Sequence, residues 1–154
     1  MTWQIELREQ TYQPTLSIRV RTRVEDLPKL IGESYHKIAA YIDEIGEKMA
    51  GAPFTAYYNL DMQDLDVEMG FPVVRPLPGN GPIIPGAIPE GPMVSCIHKG
   101  PYSSMEPMYQ AMTQWIEEHH YEPVGTVYEV YFNSPGEVPE SELLTRVDMP
   151  VKKK

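Results

Sequence analysis

A chain of 154 residues has the length of one domain, or of two small halves sharing a core. Its 42% hydrophobic and 23% charged content fits a soluble globular protein, and a formal net charge of −9 argues against a nucleic-acid partner, which needs a cationic surface. A single cysteine, Cys96, excludes an intramolecular disulfide. The absence of a signal core in Met1-Thr2-Trp3-Gln4-Ile5, or of an apolar run near ~20 residues, points to a cytoplasmic protein with no membrane partner.

Residues 3–24 alternate as strands do, with Leu16, Ile18 and Val20 at period two and Arg19, Arg21 and Arg23 on the opposite, solvent-facing side. Asp26 is positioned to cap a helix with Pro28 in its first turn. From Leu27 to Ile45, apolar residues recur at helical spacing: Leu30, Ile31, Tyr35, Ile38, Tyr41 and Ile42. Strands follow over Phe54–Asn59 and Leu65–Phe71, the second stopping at Pro72.

From Pro72 to Pro92 there are seven prolines and four glycines, a composition that admits neither a helix nor a central strand. This segment is expected to be a connector. The strand Met93–His98 then leads through the turn Lys99-Gly100-Pro101-Tyr102 to Ser103-Ser104-Met105-Glu106, a Ser-x-x-Glu capping box. Met108, Tyr109, Met112, Trp115 and Ile116 form a second amphipathic stripe, ended by Pro123 and Gly125. Strands over Thr126–Asn133 and Leu143–Met149 close the chain, the last stopping at Pro150.

The order strand-helix-strand-strand thus occurs twice. A shift of 74 lays residues 35–59 on 109–133 without a gap. Tyr35 falls on Tyr109, Ile42 on Ile116, Gly51 on Gly125, Tyr57 on Tyr131 and Asn59 on Asn133. The closing strands overlay at a shift of 78. The expected architecture is α+β. A strand-helix-strand-strand unit is duplicated about a pseudo-two-fold axis, with antiparallel sheets and two main helices around a central ligand cleft. One domain spans 1–154, with repeat halves at about 3–73 and 93–151 and the connector at 74–92.

One residue breaks the repeat. Glu129 sits in the apolar and aromatic run Val127-Tyr128-Glu129-Val130-Tyr131-Phe132, where its counterpart is Thr55. A carboxylate there either lies on a solvated face or needs a hydrogen-bond partner or a cation. Tyr57, Tyr58, Met69, Tyr102, Met105, Met108, Tyr109, Met112 and Tyr131 concentrate on the elements expected to meet at the cleft. Singly they are core residues. As a set around one acid, they suit flat, apolar, often cationic molecules. A catalytic alternative makes Glu129 a general base on water, with the hydroxyl of Tyr57 or Tyr131 positioning or protonating the substrate. No metal is expected: His119 and His120 are adjacent on a helix and so point apart, and His36 and His98 lack ligand-spaced partners.

The segments Gly51-Ala52-Pro53-Phe54 leading to Tyr57, Asp66–Val73, His98-Lys99-Gly100-Pro101-Tyr102, Trp115-Ile116 and Tyr128-Glu129-Val130-Tyr131, with the closing strand to Val151, resemble the GyrI-like small-molecule-binding domain. That domain is also the effector-binding domain of multidrug-sensing regulators of the MerR and AraC types. The resemblance implies an aromatic pocket whose acid engages lipophilic cations, with Glu129 as the acid, Tyr131 as a wall, and Tyr57, Tyr102 and Met105 near other pocket positions. No cofactor is expected, and, without a helix-turn-helix segment, the chain looks like a stand-alone member. Some relatives of this kind are similar to hydrolases that open strained cyclopropane rings. A gyrase-modulating interaction with a protein partner is a further alternative.

Overall fold

The structure, a computed structural model, describes residues 3–154. Met1 and Thr2, which begin the N-terminal run read above, lie outside the described residues. In chain order the elements are β1 (Glu6–Gln10), β2 (Gln13–Thr22), α1 (Leu27–Glu44), β3 (Phe54–Tyr57), β4 (Leu65–Pro72), β5 (Ile84–Ile88), β6 (Gly91–Lys99), α2 (Glu106–Glu118), β7 (Tyr121–Pro123), β8 (Val127–Tyr131) and β9 (Leu144–Lys153). The fold is α+β, with two main helices and antiparallel strand pairing. It divides into two compact units: Thr11–Glu90, and the chain through Gln10 together with Gly91–Lys154.

In the Thr11–Glu90 unit the strands lie in the order β3-β4-β2-β5. The stripe read from the sequence is what α1 buries: Ile38, Tyr41 and Ile42 pack on Leu16 and Ile18 of β2 and Phe71 of β4. Leu27, at the start of the helix, meets Leu65, Val67 and Met69 of β4. The arginine row is exposed and paired, Arg19 with Asp66 at 2.8 Å and Arg21 with Asp64 at 3.1 Å.

In the second unit the order is β1-β6-β9-β8, and β7 continues along β9 beyond the end of β8. Here α2 buries Met108, Met112 and Ile116 against Val94 and Cys96 of β6 and Val147, Met149 and Val151 of β9. Cys96 is a buried thiol whose pKa burial pushes up, as for a small core hydrophobe.

Four local readings are corrected. The proline-rich connector carries a strand, β5, because it lies at the end of its sheet and pairs only with β2; Pro85, opposite Leu16, can sit on such an edge. Pro150 does not stop β9. It pairs with Met93, and its carbonyl still accepts the Val124 amide at 2.9 Å, so only the missing N–H is lost from the ladder. The capping box does not form: Met105 is the N-cap of α2 and makes no side-chain cap hydrogen bond. Ser103, the serine of the box, lies before the N-cap in a 3-10 turn over Tyr102–Ser104, where the neighbouring Ser104 donates its hydroxyl to the carbonyl of Pro101 at 2.9 Å. Asp26 does occupy the N-cap of α1, but a 3-10 turn at Val24–Asp26 runs straight into the helix, and its carboxylate caps nothing.

Candidate functional site

Strand β8 is short, and its burial alternates along the chain: Tyr128 and Val130 are buried, while Val127, Glu129 and Tyr131 are half-buried. Period-two alternation puts Val127, Glu129 and Tyr131 on one face. Val127 packs into the core beneath α2, so this face is the one that α2 covers. Across β9, Glu129 pairs with Val147 and Tyr131 with Thr145.

On that face the Glu129 carboxylate is gripped by two phenols. Tyr131, two residues along the strand, donates its hydroxyl to Oε1 at 2.7 Å. Tyr109, on α2, donates its hydroxyl to Oε2. These charge-assisted bonds fix where the carboxylate points. Among the described residues its hydrogen-bond partners are these phenols and include no cation. Tyr102 stands edge-on to Tyr131, with ring centroids 5.8 Å apart and planes at 68°, a favourable aromatic geometry. Burial, and secondarily the charge on Glu129, push the Tyr102 phenol above its ordinary pKa of 10.0.

His98 braces the turn that carries Tyr102. Its imidazole is buried at the end of β6, with Nε2 3.1 Å from the Pro101 carbonyl and 3.2 Å from the Ser104 hydroxyl. Gly100 between them has φ +134°, which a side chain would strain, and a Cβ there would come within 3.5 Å of the His98 ring.

The other candidates read from the sequence divide between the cores of the two units. Met105, Met108 and Met112 are 4%, 0% and 0% exposed and belong to the core of the second unit. Tyr57 and Met69 belong to the first, on β3 and β4, with Met69 fully buried and Tyr57 half-buried beside it. In that unit Tyr35 on α1 shares a hydrogen bond of 2.9 Å with Thr55. In the overlay at a shift of 74 this is the counterpart of the Tyr109–Glu129 pair, with a neutral hydroxyl in place of the acid.

Two features were not singled out from the sequence. Glu68 on β4 accepts hydrogen bonds from the buried Ser17 hydroxyl at 2.5 Å and from Tyr58, whose ring carries the Arg19 guanidinium 3.9 Å from its centroid. The second is Thr145, fully buried, whose hydroxyl is the one buried side-chain polar atom without a hydrogen-bond partner among the described residues. The alternation Asp66-Val67-Glu68-Met69 signals an acid on the outer face of β4. Nothing in the run Leu143–Met149 distinguishes Thr145 from an ordinary strand threonine.

EcmrR resembles the chain in two structures. Its C-terminal domain alone is 26% identical with a TM-score of 0.83, and all of both chains is covered. In an EcmrR–DNA complex the identity is 26% and the TM-score 0.85, and 99% of this chain covers 58% of EcmrR. The chain therefore spans little more than half of that protein's length. A hydrolase from Listeria innocua shares the fold at 15% identity, with a TM-score of 0.70 and 96% and 91% of the two chains covered. SAV2435, in a complex with tetraphenylphosphonium, does so at 9% identity, with a TM-score of 0.67 and 99% and 94% covered. No curated protein matches the chain. The family model for the GyrI-like small molecule binding domain matches residues 4–152, and the chain belongs to that family.

Proposed function

We propose that the chain binds lipophilic, aromatic, cationic small molecules at Glu129, and so senses, sequesters or protects against them. The observation that carries this reading is a half-buried carboxylate held by two phenols and opposed by no cation among the described residues. A negative charge partly removed from water gains most from a cation that arrives with its own apolar surface, because both are then shielded from competing water. The rings of Tyr102 and Tyr131 add a surface on which a flat cation can stack. SAV2435, of the same fold, is bound to tetraphenylphosphonium, a cation of this class.

Calorimetric titration of tetraphenylphosphonium and of a neutral triarylmethane of similar size tests the reading. Wild type should prefer the cation, and Glu129→Gln should weaken the cation about tenfold or more, equivalent to ~1.4 kcal/mol, with little effect on the neutral compound. An equal loss for both compounds would remove the charge from the account.

A second reading rests on the 2.7 Å contact between Tyr131 and Glu129, which puts a phenolic acid beside a carboxylate base. Water would lose a proton to Glu129 as its oxygen bonds to a carbon of a strained cyclopropane ring. The ring C–C bond would break, and the released electron pair would take the Tyr131 proton, for net addition of water. Mass spectrometry of such a compound incubated with the protein decides it. Turnover no faster than with Glu129→Gln eliminates the hydrolase.

A further inference from the structure

We infer that Thr145 is a specificity-determining residue, whose hydroxyl reads a neutral hydrogen-bonding group on the cation held at Glu129. The inference rests on the cation-binding reading of that site. Strand register places the two residues. Thr145 pairs with Tyr131 on one side and with His98 on the other, so the three side chains stand in one row across β8, β9 and β6. The adjacent row on the same face is Glu129, Val147 and Cys96. Rows two residues apart are separated by ~7 Å and neighbouring strands by ~4.8 Å, so the backbone positions of Thr145 and Glu129 are about 8 Å apart, with Thr145 directly across from the tyrosine that bonds the acid.

What sets Thr145 apart is that its hydroxyl is idle. The other buried polar side chains of this unit are occupied: Ser95 donates to Asp148 at 2.7 Å, Asp148 pairs with Arg8 at 2.9 Å and Arg146 at 3.0 Å, and His98 engages Pro101 and Ser104. Thr145 Oγ1 is buried with no partner among the described residues. An orphaned hydroxyl weakens a fold, and its neighbours along the same face of β9 are Val147, Met149 and Val151, so a valine would serve packing better. A hydroxyl in this row has a use once a ligand brings a partner to it. A site of that kind discriminates strongly, because a ligand lacking the group leaves the hydroxyl unpaired. The ligand class is a lipophilic cation with a hydroxyl, ether or carbonyl oxygen one to two ring-widths from its charge.

The test compares two probes, tetraphenylphosphonium and (4-hydroxyphenyl)triphenylphosphonium, on wild type, Thr145→Val, Thr145→Ser and Glu129→Gln, with melting temperatures recorded for each. Wild type should favour the hydroxylated cation about tenfold. Thr145→Val should cut that preference to less than about twofold, leave tetraphenylphosphonium affinity unchanged and melt no lower than wild type, while Thr145→Ser restores the preference. The inference is overturned if wild type shows no preference, if the preference survives Thr145→Val, if that variant weakens both probes alike, or if it melts well below wild type. A Glu129→Gln variant that binds both cations as wild type does, or a wild type that binds neither, removes the Glu129 reading and this inference with it. If Glu129→Gln weakens both probes and Thr145→Val leaves the preference intact, the inference about Thr145 alone fails.

Discussion

Glu129 and Glu68 are both half-buried strand carboxylates that accept a tyrosine hydroxyl, and they differ in what else surrounds them. Glu68 sits beside a tyrosine already stacked under Arg19, in a network that also pairs Arg19 with Asp66. Glu129 has phenols and rings and no guanidinium among the described residues. Tyr102 reports on that difference. Because burial is the larger cause of its raised pKa and the Glu129 charge the smaller, Glu129→Gln should bring the phenol part of the way back toward 10.0. A spectrophotometric titration of wild type and variant, with Tyr102→Phe to assign the signal, checks this. No movement would mean that the carboxylate charge does not reach the Tyr102 ring. Since a raised pKa favours the neutral phenol in the fold, the stability from this group is present below pH 10.0 and fades as pH rises beyond it.

At the scale of elements, the helices are held by their buried stripes and not by their caps. Met112→Ala, at a position with no exposed surface, should cost about 2–5 kcal/mol in denaturant unfolding, whereas Met62→Ala, at a 48% exposed loop position, should stay within about 0.5 kcal/mol. Asp26→Ala should also cost less than about 0.5 kcal/mol, below the ~1 kcal/mol of a bonded N-cap, because its carboxylate caps no amide. A loss of a full kilocalorie would show that Asp26 does cap α1. Between β2 and β4, the Arg19 guanidinium holds Asp66 below the ordinary 3.8. The stability from that depressed carboxylate is present above pH 3.8 and is lost as pH falls through its lowered value. Asp66→Asn should therefore cost up to about 1 kcal/mol near neutrality, the range of a partly exposed pair, with the difference from wild type vanishing in acid.

Periodicity exposed both helices and most strands because a buried stripe must repeat at the spacing of its element. It could not show that β5 is an edge, where Pro85 is tolerated, or that β9 runs on past Pro150. Pairing partners, not local residues, decide both. The capping box failed for a related reason: the chain enters α2 through a 3-10 turn over Tyr102–Ser104, which makes Met105 the N-cap in place of Ser103 and which only the folded chain reveals. Glu129 could be read from its neighbours, since an acid in an aromatic strand breaks a pattern. Thr145 could not, because a threonine with an idle hydroxyl and one with a bonded hydroxyl share one sequence.

For the whole molecule, the sequence carries the family and the structure carries the chemistry that can be tested. Among the described residues no helix is long and apolar enough to cross a membrane. With a net charge of −9, the chain attracts cations at long range, so association with a lipophilic cation should slow as salt is added. A ligand that binds only the folded state at one hundred times its Kd adds ~2.7 kcal/mol of stability, and for a chain of this size should raise Tm by about 5–10 °C. The central claim is that Glu129, and not the similarly placed Glu68, receives the cation. The direct measurement is the Kd of tetraphenylphosphonium for wild type, Glu129→Gln and Glu68→Gln under one buffer condition. The account predicts a loss of about tenfold or more for Glu129→Gln and less than about twofold for Glu68→Gln. Equal losses in the two variants, or a loss confined to Glu68→Gln, would contradict it.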